Sequence, residues 1–158
     1  MWFDDFRTPI GRLRIAVDLD GLRYVLFEKN KYEPMQACDW LRDRSATREA
    51  REQLLQYFER ERNEFELKMS LIGTDFQKRT WQTLASIPYG KTWSYAELAN
   101  KVGSPKAVRA VGSANGRNPL PIILPCHRVI GSDGTLTGFG GGLPVKKWLL
   151  EHEGFDVG

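Results

Sequence analysis

The stretch that decides the fold reads SYAELANKVGSPKAVRAVGSANG and covers residues 94–116. Ser94 and Glu97 stand three residues apart, the spacing of a capping box, in which a hydroxyl and a carboxylate satisfy the free amides at a helix start. A helix is therefore predicted to begin at Tyr95. Its apolar spacing ends before Gly103, a residue type favoured just after helix ends.

A second helix is predicted directly after this glycine. Ser104 is placed as its N-cap and Pro105 at its first position, and the helix is expected to run to about Ala114. Two short helices joined by such a turn are typical of a helix-turn-helix, although helical hairpins of similar appearance also occur purely for packing. Arg109 is the long basic side chain in the middle of the second helix, which is otherwise rich in small residues that permit close approach to another surface.

Before this stretch in the chain, Thr74 and Gln77 form another capping-box pair, which predicts a helix from about Asp75. The apolar run LPIILP at residues 120–125 predicts a buried strand or extended segment that leads into a Cys-His pair. A glycine-rich loop follows at 132–143, and a closing helix is predicted with Pro144 near its start and Gly154 after its end.

The first third of the chain predicts a small α/β lobe. Apolar residues alternate from Leu13 to Leu26 around an Asp-Gly turn, as in a β-hairpin. Residues 45–60 have the apolar spacing of an amphipathic helix, and residues 65–71 alternate as a short strand. Cys38 has no histidine or second cysteine nearby in the sequence, so we expect no zinc site there.

The totals describe an ordinary globular chain of 158 residues with 41% hydrophobic and 27% charged residues. No apolar run approaches the length that a membrane span needs, and the N-terminus lacks the layout of a signal peptide. Two cysteines provide no disulfide framework, which favours a reducing compartment, the cytoplasm.

Charge is distributed unevenly along the chain. Residues 1–70 hold 13 Lys/Arg against 14 Asp/Glu, whereas residues 71–158 hold 10 against 6. Between Phe76 and Asn118 the only acid is Glu97. A basic region of this kind suits a polyanion, and together with the helix-turn-helix it favours DNA binding over a merely solvated lysine-rich face.

The chemistry lies in the pairs Cys126-His127 and His152-Glu153. A thiol becomes a nucleophile when a base or positive charge raises its thiolate fraction, and a carboxylate can orient the histidine. Cys126 as nucleophile, His127 as base and Glu153 as orienting group fit that chemistry. Each of these residues also has a simpler interpretation. The cysteine can be a small buried apolar residue, His152 a core histidine on the apolar face of the last helix, and Glu153 a surface acid.

Three segments of the second half resemble a known protein family. NPLPIILPCHRVIG at 118–131, with the stretch at 94–116 and GGLPVKKWLLEHEG at 141–154, closely resembles the O6-alkylguanine-DNA alkyltransferases, also called methylated-DNA–protein-cysteine methyltransferases. The similarity is nearly continuous from Thr74 to Gly154 and looser before it. It implies an α+β protein: an RNase H-like α/β lobe at 1–72, and a mostly helical C-terminal domain at 73–158 that contains the helix-turn-helix.

The resemblance also implies a site. Cys126 accepts an alkyl group from O6 of guanine, or less readily from O4 of thymine; His127 deprotonates it through a water, and Glu153 holds the histidine. Asn118 braces the cysteine segment, and Tyr95 donates a hydrogen bond toward the purine. Arg109 enters the base stack in place of the extruded nucleotide. The remaining implied positions contact DNA or line the base pocket: Ser94, Ala107, Ala110 and Gly112 for DNA, and Val129, Phe139, Gly140 and Lys146 for the pocket.

The expected partner is double-stranded DNA carrying O6-alkylguanine, bound by a monomer that uses no cofactor, no metal and no membrane. Because a thioether is a poor leaving group, each molecule is expected to act once. Two other functions stay open from the residues alone: a sensor that binds alkylated bases without transferring the group and recruits other repair factors, and a cysteine hydrolase. Gly140, where some relatives have serine, leads to the hypothesis that bulkier alkyl groups are tolerated.

Overall fold

A computed structural model describes residues 1–29, 34 and 37–157, with only the backbone of Cys38, so the expectation about a zinc site at that thiol lies outside the described residues. The chain divides into two compact units, Met1–Leu71 and Ile72–Gly158. No helix in the described ranges is both long and apolar enough to cross a membrane.

The first unit is a four-stranded sheet with one helix. Its strands lie in the order β3-β2-β1-β4; β1 and β2 pair antiparallel, as do β2 and β3, whereas β4 joins β1 in parallel. The strands are β1 (Trp2–Thr8), β2 (Gly11–Val17), β3 (Leu22–Phe27) and β4 (Leu41–Arg42). A short 3-10 helix spans Ala37–Asp39, and helix α1 spans Arg48–Phe58.

The predicted hairpin and helix of this unit are confirmed. Leu13 and Ile15 of β2 are fully buried, as are Leu54 and Tyr57 of α1, so the alternating and helical patterns do mark the core faces. The predicted strand at 65–71 is wrong. This segment lies beside the free edge of β3 but makes only an isolated parallel bridge, Leu22 to Met69.

The second unit is mostly helical. Helices α2, α3 and α4 pack against one another, and a two-stranded parallel pair, β5 with β6, lies beside them. The elements are α2 (Asp75–Leu84), β5 (Trp93–Ser94), α3 (Tyr95–Val102), α4 (Val108–Gly116), β6 (Val129–Ile130) and α5 (Leu143–His152).

Both predicted capping boxes are present. The hydroxyl of Thr74 accepts from the amide of Gln77 and that of Ser94 from the amide of Glu97, with the reciprocal side-chain bonds also formed. Gly103 ends α3 with a φ of 91°, a left-handed conformation suited to glycine. The helix-turn-helix is therefore confirmed in its first helix and its turn.

The predicted start of α4 is wrong. Pro105 lies in a turn in which the amide of Ala107 donates to the carbonyl of Ser104, and the helix begins at Val108 without a side-chain cap. The helix also extends to Gly116, beyond the predicted end. The residues that the Ser-Pro pattern assigned to the first turn of the helix therefore belong to this loop.

The apolar run before the cysteine is buried as predicted but is not a strand. Residues 120–124 form a turn closed by the bond from the amide of Leu124 to the carbonyl of Leu120. The residues of this turn are at most 8% exposed. Cys126–Arg128 form a 3-10 helix, and the strand, β6, follows the cysteine rather than preceding it.

Candidate active site

Cys126 begins the short 3-10 helix and is 5% exposed. Burial raises the pKa of its thiol to about 11, because a thiolate loses solvation in an apolar setting. The hydrogen bond from Asn118 and the positive charge of Lys146 both act in the opposite direction. The site therefore holds a protonated thiol at rest, with two groups placed to stabilise its anion.

Asn118 also shapes the turn before the thiol. Its Nδ2 donates to the carbonyl of Leu124 at 2.7 Å, and its Oδ1 accepts from the amide of Leu120 at 2.9 Å. A second asparagine, Asn115 of α4, donates to the carbonyl of Cys126 at 3.5 Å. Asn118 thus makes the contacts with the turn that the predicted bracing function requires. Asn115 adds a contact that the sequence did not indicate.

His127 and Glu153 meet although 26 positions separate them. Nε2 of His127 lies 2.7 Å from Oε2 of Glu153, and both side chains are fully buried. Burial lowers the pKa of His127, since a charged imidazolium is disfavoured there, and the bond to Glu153 only partly offsets this. The histidine is therefore a neutral base at pH 7.

Arg128 completes this group and was missed from the sequence. Its Nε donates to Oε1 of Glu153 at 2.7 Å and its Nη2 to Oε2 at 3.0 Å, a two-point contact, while Nη1 donates to the carbonyl of Ile87 at 2.7 Å. Burial raises the pKa of Glu153, but the hydrogen bonds from His127 and Arg128 and the positive charge of Arg128 outweigh it and hold that pKa far below its usual range. The available signal was an arginine inside a run of otherwise apolar residues.

This arrangement assigns the histidine tautomer. Because the carboxylate of Glu153 is ionised, it accepts, and Nε2 of His127 carries the proton. Nδ1 of His127 then presents its lone pair, and it has no hydrogen-bond partner among the residues that the structure describes. Cys126 is the preceding residue, so the thiol and this basic nitrogen belong to consecutive residues of the chain.

Lys146 is fully buried in α5. Its Nζ donates to the carbonyl of Val129 at 2.7 Å and to the carbonyl of Thr137 in the glycine-rich loop at 3.0 Å. Burial lowers the pKa of Lys146 to about 8, and the nearby Cys126 acts against that shift. Lys146 thus connects β6 with the glycine-rich loop by hydrogen bonds, and its charge lies near the thiol of Cys126.

Tyr95 is half-buried at the start of α3. Its phenol oxygen lies 2.7 Å from Oγ1 of Thr137. Burial raises the pKa of the Tyr95 phenol, the bond to Thr137 lowers it, and Cys126 raises it further by its charge. Gly112 lies against the same ring, because a Cβ added there would meet Cδ1 of Tyr95 at 3.6 Å.

The other predicted DNA-contacting residues belong to the helix-turn-helix elements. Arg109 and Ala110 are exposed on α4, and Ala107 is half-buried just before that helix. The hydroxyl of Ser94 is used in capping α3. Arg109 and Ala110 thus lie on an exposed face of α4, the second helix of the helix-turn-helix.

Two predicted pocket residues, Phe139 and Gly140, are half-buried in the glycine-rich loop. A Cβ added to Gly140 would meet no heavy atom within 4 Å, so the room beside this residue is open. Val129, by contrast, is fully buried in β6.

Within the described part of the chain, no group of three or more His, Cys, Asp or Glu side chains is placed to hold a metal ion.

Comparison with known proteins covers both units. The family described as "6-O-methylguanine DNA methyltransferase, DNA binding domain" matches residues 75–155, and "6-O-methylguanine DNA methyltransferase, ribonuclease-like domain" matches residues 5–71. The chain is 47% identical over 154 residues to a methylated-DNA–protein-cysteine methyltransferase of Methanosarcina acetivorans, covering 98% of this chain and 99% of the relative. It is 49% identical over 146 residues to that of Mycobacterium tuberculosis, covering 92% and 88%.

A solved structure gives the same result. The crystal structure of Mycobacterium tuberculosis OGT in complex with DNA superimposes with a TM-score of 0.92 at 46% identity, covering 98% of this chain and 93% of that one. Similarity of this extent, across both units and including the Cys-His-Arg segment, establishes that the chain belongs to the methylated-DNA–protein-cysteine methyltransferase family.

Proposed function

We propose that this chain repairs alkylated DNA by moving the alkyl group from O6 of a guanine, or less readily from O4 of a thymine, to Sγ of Cys126. The observation that carries the proposal is the buried thiol beside a neutral histidine that is held by an ionised Glu153-Arg128 pair. Every residue to which we assign alkyl transfer or DNA binding lies within 73–158, which we propose as the working domain.

Activation of the thiol is the first requirement. With a pKa of about 11, roughly one thiol in ten thousand is ionised at pH 7. His127 takes the thiol proton, relayed by a water, onto Nδ1, and Glu153 stabilises the imidazolium that forms. Lys146 and Asn118 stabilise the thiolate.

The transfer itself balances without a further reagent. The sulfur attacks the alkyl carbon, the S–C bond forms and the C–O6 bond breaks. The electron pair of the broken bond stays on the guanine, which takes up the proton held by His127. The products are an S-alkyl cysteine and an unmodified guanine, and no cofactor is consumed.

Access requires that the nucleotide leave the duplex, because a buried thiol cannot reach O6 in stacked DNA. We assign the exposed α4 face to the minor groove, where Ala107, Ala110 and Gly112 permit close approach and Arg109 fills the vacated position. Ser94 is assigned to the DNA backbone beside α3. Tyr95 donates to the purine, and Val129, Phe139 and Gly140 line its pocket.

The thioether product is stable to water, so each molecule acts once. We further propose that the protein works as a monomer on double-stranded DNA and resides in the cytoplasm. A reducing compartment suits the chemistry, since the nucleophile must remain a thiol.

The decisive experiment mixes the protein with a duplex that contains one O6-methylguanine whose methyl group carries an isotopic label. We expect one label per chain, located by peptide mass spectrometry on the Cys126 peptide, and an unmodified guanine in the DNA. Cys126→Ser should take up no label, while the matched Cys38→Ser variant should take up the full amount. Lesion-specific binding without labelling would instead indicate a sensor, and label released as free product would indicate a hydrolase.

A further inference from the structure

The bond between Tyr95 and Thr137 joins two hydroxyl groups. Each hydroxyl carries one proton, and the 2.7 Å contact between the two oxygens uses only one of them. Neither side chain has another hydrogen-bond acceptor among the residues that the structure describes. One hydroxyl proton is therefore left over at the half-buried pair.

Which proton is left over depends on what occupies the pocket. A phenol is a stronger acid than an alkyl hydroxyl, so with no base bound the phenol proton is expected to point to Oγ1 of Thr137. When a purine ring nitrogen approaches Tyr95, a better acceptor is present. Both hydroxyls can rotate, so the phenol can donate to the purine while Thr137 donates to the phenol oxygen.

Thr137 is held in place independently of its hydroxyl. Its carbonyl accepts from Nζ of the buried Lys146 at 3.0 Å, and the same ammonium bonds to the carbonyl of Val129 in β6. The loop residue is thus tied to α5 and β6 through its backbone. The side-chain hydroxyl is free to serve Tyr95.

We propose that Thr137 is a positioning residue that acts through Tyr95: with an alkylated purine bound, its hydroxyl donates to the phenol oxygen and directs the phenol proton to a ring nitrogen of the purine. This inference rests on the proposed function, in which Tyr95 faces the base. A chain of two aligned hydrogen bonds is stronger than either alone, because each polarises the next. Its effect is largest as negative charge develops on the departing guanine.

The test is a double-mutant cycle of Thr137→Val with Tyr95→Phe, with Thr137→Ser as the conservative variant. Valine keeps the shape and the backbone bond to Lys146 but removes the hydroxyl. Thr135→Val is the matched control, because Thr135 lies in the same loop and its hydroxyl bonds to Asp133 instead. Methyl transfer to Cys126 is followed by mass spectrometry with protein in saturating excess over lesion duplex, and the affinity for that duplex is measured separately.

We expect Thr137→Val to slow transfer by roughly threefold to tenfold, the worth of one hydrogen bond, with a smaller change in affinity. Thr137→Ser should retain the wild-type rate, and Thr135→Val should not differ from wild type. In the Tyr95→Phe background, Thr137→Val should cause no further slowing. Equal slowing in both backgrounds, or a serine variant as slow as valine, would overturn the inference.

A second measurement does not depend on transfer. Ultraviolet titration of the phenol, taken as the difference from Tyr95→Phe, should show a higher pKa for Tyr95 in Thr137→Val than in wild type or Thr137→Ser; an unchanged value would contradict donation by Thr137. The two proposals fail differently. If wild-type protein takes up no methyl group, the proposed function falls and the inference with it, whereas wild-type transfer with no effect of valine removes only the inference.

Discussion

At the scale of single residues, the carboxylate of Glu153 serves two partners that each need it. We expect Glu153→Gln to lower the free energy of unfolding by about 3–5 kcal/mol, because Arg128 is then left buried without its counter-charge. The rate of transfer to Cys126 should fall as well, since a neutral amide stabilises the imidazolium of His127 less than the carboxylate does and can also turn its NH2 group toward Nε2. Urea denaturation and single-turnover mass spectrometry measure the two effects.

Glu151→Gln is the control for this change, because Glu151 lies exposed in the last turn of α5, two residues before Glu153. It should alter stability by no more than about 0.5 kcal/mol. A Glu153 variant as stable as this control would contradict the buried pairing.

Lys146 and Lys147 are adjacent in α5, but only Lys146 is buried, so variants of the two residues can be compared directly. Lys146→Met removes a buried ammonium and leaves two carbonyls, those of Val129 and Thr137, without their donor, which should cost about 1–3 kcal/mol. It should also raise the pKa of Cys126 and slow alkylation of the thiol by iodoacetamide. Lys147 is exposed, so Lys147→Met should change neither quantity, and equal behaviour of the two variants would be evidence against the charge effect.

Substrate size is predicted to depend on Gly140. Because a Cβ there meets nothing within 4 Å, Gly140→Ser should fold normally while filling part of the space beside the loop. We expect the ratio of transfer rates for O6-benzylguanine over O6-methylguanine to fall in this variant. Gly138→Ser, also free of close contacts, is the control. An unchanged ratio in Gly140→Ser would show that this position does not set alkyl tolerance.

The sequence revealed some of these residues and concealed others. Cys126 and His127 stood out because half of the thiols and half of the imidazoles are adjacent, and a carboxylate at 153 completed a known chemical pattern. Arg128 and Thr137 did not stand out. Their importance comes from partners that only the tertiary structure brings near, Glu153 for one and Tyr95 for the other.

At the scale of elements, the turn between α3 and α4 depends on Gly103. Its φ of 91° is costly for any residue with a Cβ, although nothing lies within 4 Å of that position. Gly103→Ala should therefore destabilise the protein by about 1–2 kcal/mol through backbone strain alone. Gly116 in α4 has an ordinary φ and similar room, so Gly116→Ala should be neutral or stabilising in the same urea titration. Equal effects would contradict the strain argument.

Elements were predicted best where the evidence was local. Both capping boxes specify their helix starts through bonds three residues apart, so sequence alone was sufficient. Ser104 and Pro105 form an equally local pattern. In the structure, however, the carbonyl of Ser104 accepts from the amide of Ala107 in a turn, and α4 begins only at Val108. The predicted strand at 65–71 forms only the bridge from Leu22 to Met69, because alternation of apolar residues indicates a half-buried segment but does not specify how many backbone bonds it makes with β3.

At the scale of the whole molecule, stability is predicted to fall with acid in two stages. The pKa of His127 is below its ordinary 6.5 in the folded protein, so below about pH 6.5 the unfolded chain binds a proton that the folded protein refuses. The pKa of Glu153 is likewise below its ordinary 4.5, so a second loss begins below about pH 4.5. Each stage has a slope of up to about 1.4 kcal/mol per pH unit.

Urea denaturation across pH 8 to 4 measures this profile. In His127→Gln the first stage should be absent while the second remains. A wild-type stability that rises as the pH falls from 7 to 5 would contradict the neutral buried histidine.

The global architecture was more accessible to sequence than its details. Charge asymmetry and the helix-turn-helix pattern indicated a nucleic-acid-binding half, and the resemblance carried by the Cys-His-Arg segment implied the α+β fold. Strand β1 was not predicted, because its residues WFDDFRT do not alternate between apolar and polar, although the turn residues Pro9 and Gly11 follow it. The turn at 120–124 was predicted as a strand or extended segment, because apolar composition reports burial but does not report backbone direction.

That turn has a consequence for the origin of the reactive geometry. Ile122 is a β-branched residue with a φ of 74°, a conformation that isolated chains avoid, and it is 1% exposed. The bend that seats the sulfur is imposed by its surroundings and not by local preference. A synthetic peptide copied from residues 118–130 would therefore relax to another shape, and its cysteine would behave as an ordinary solution thiol.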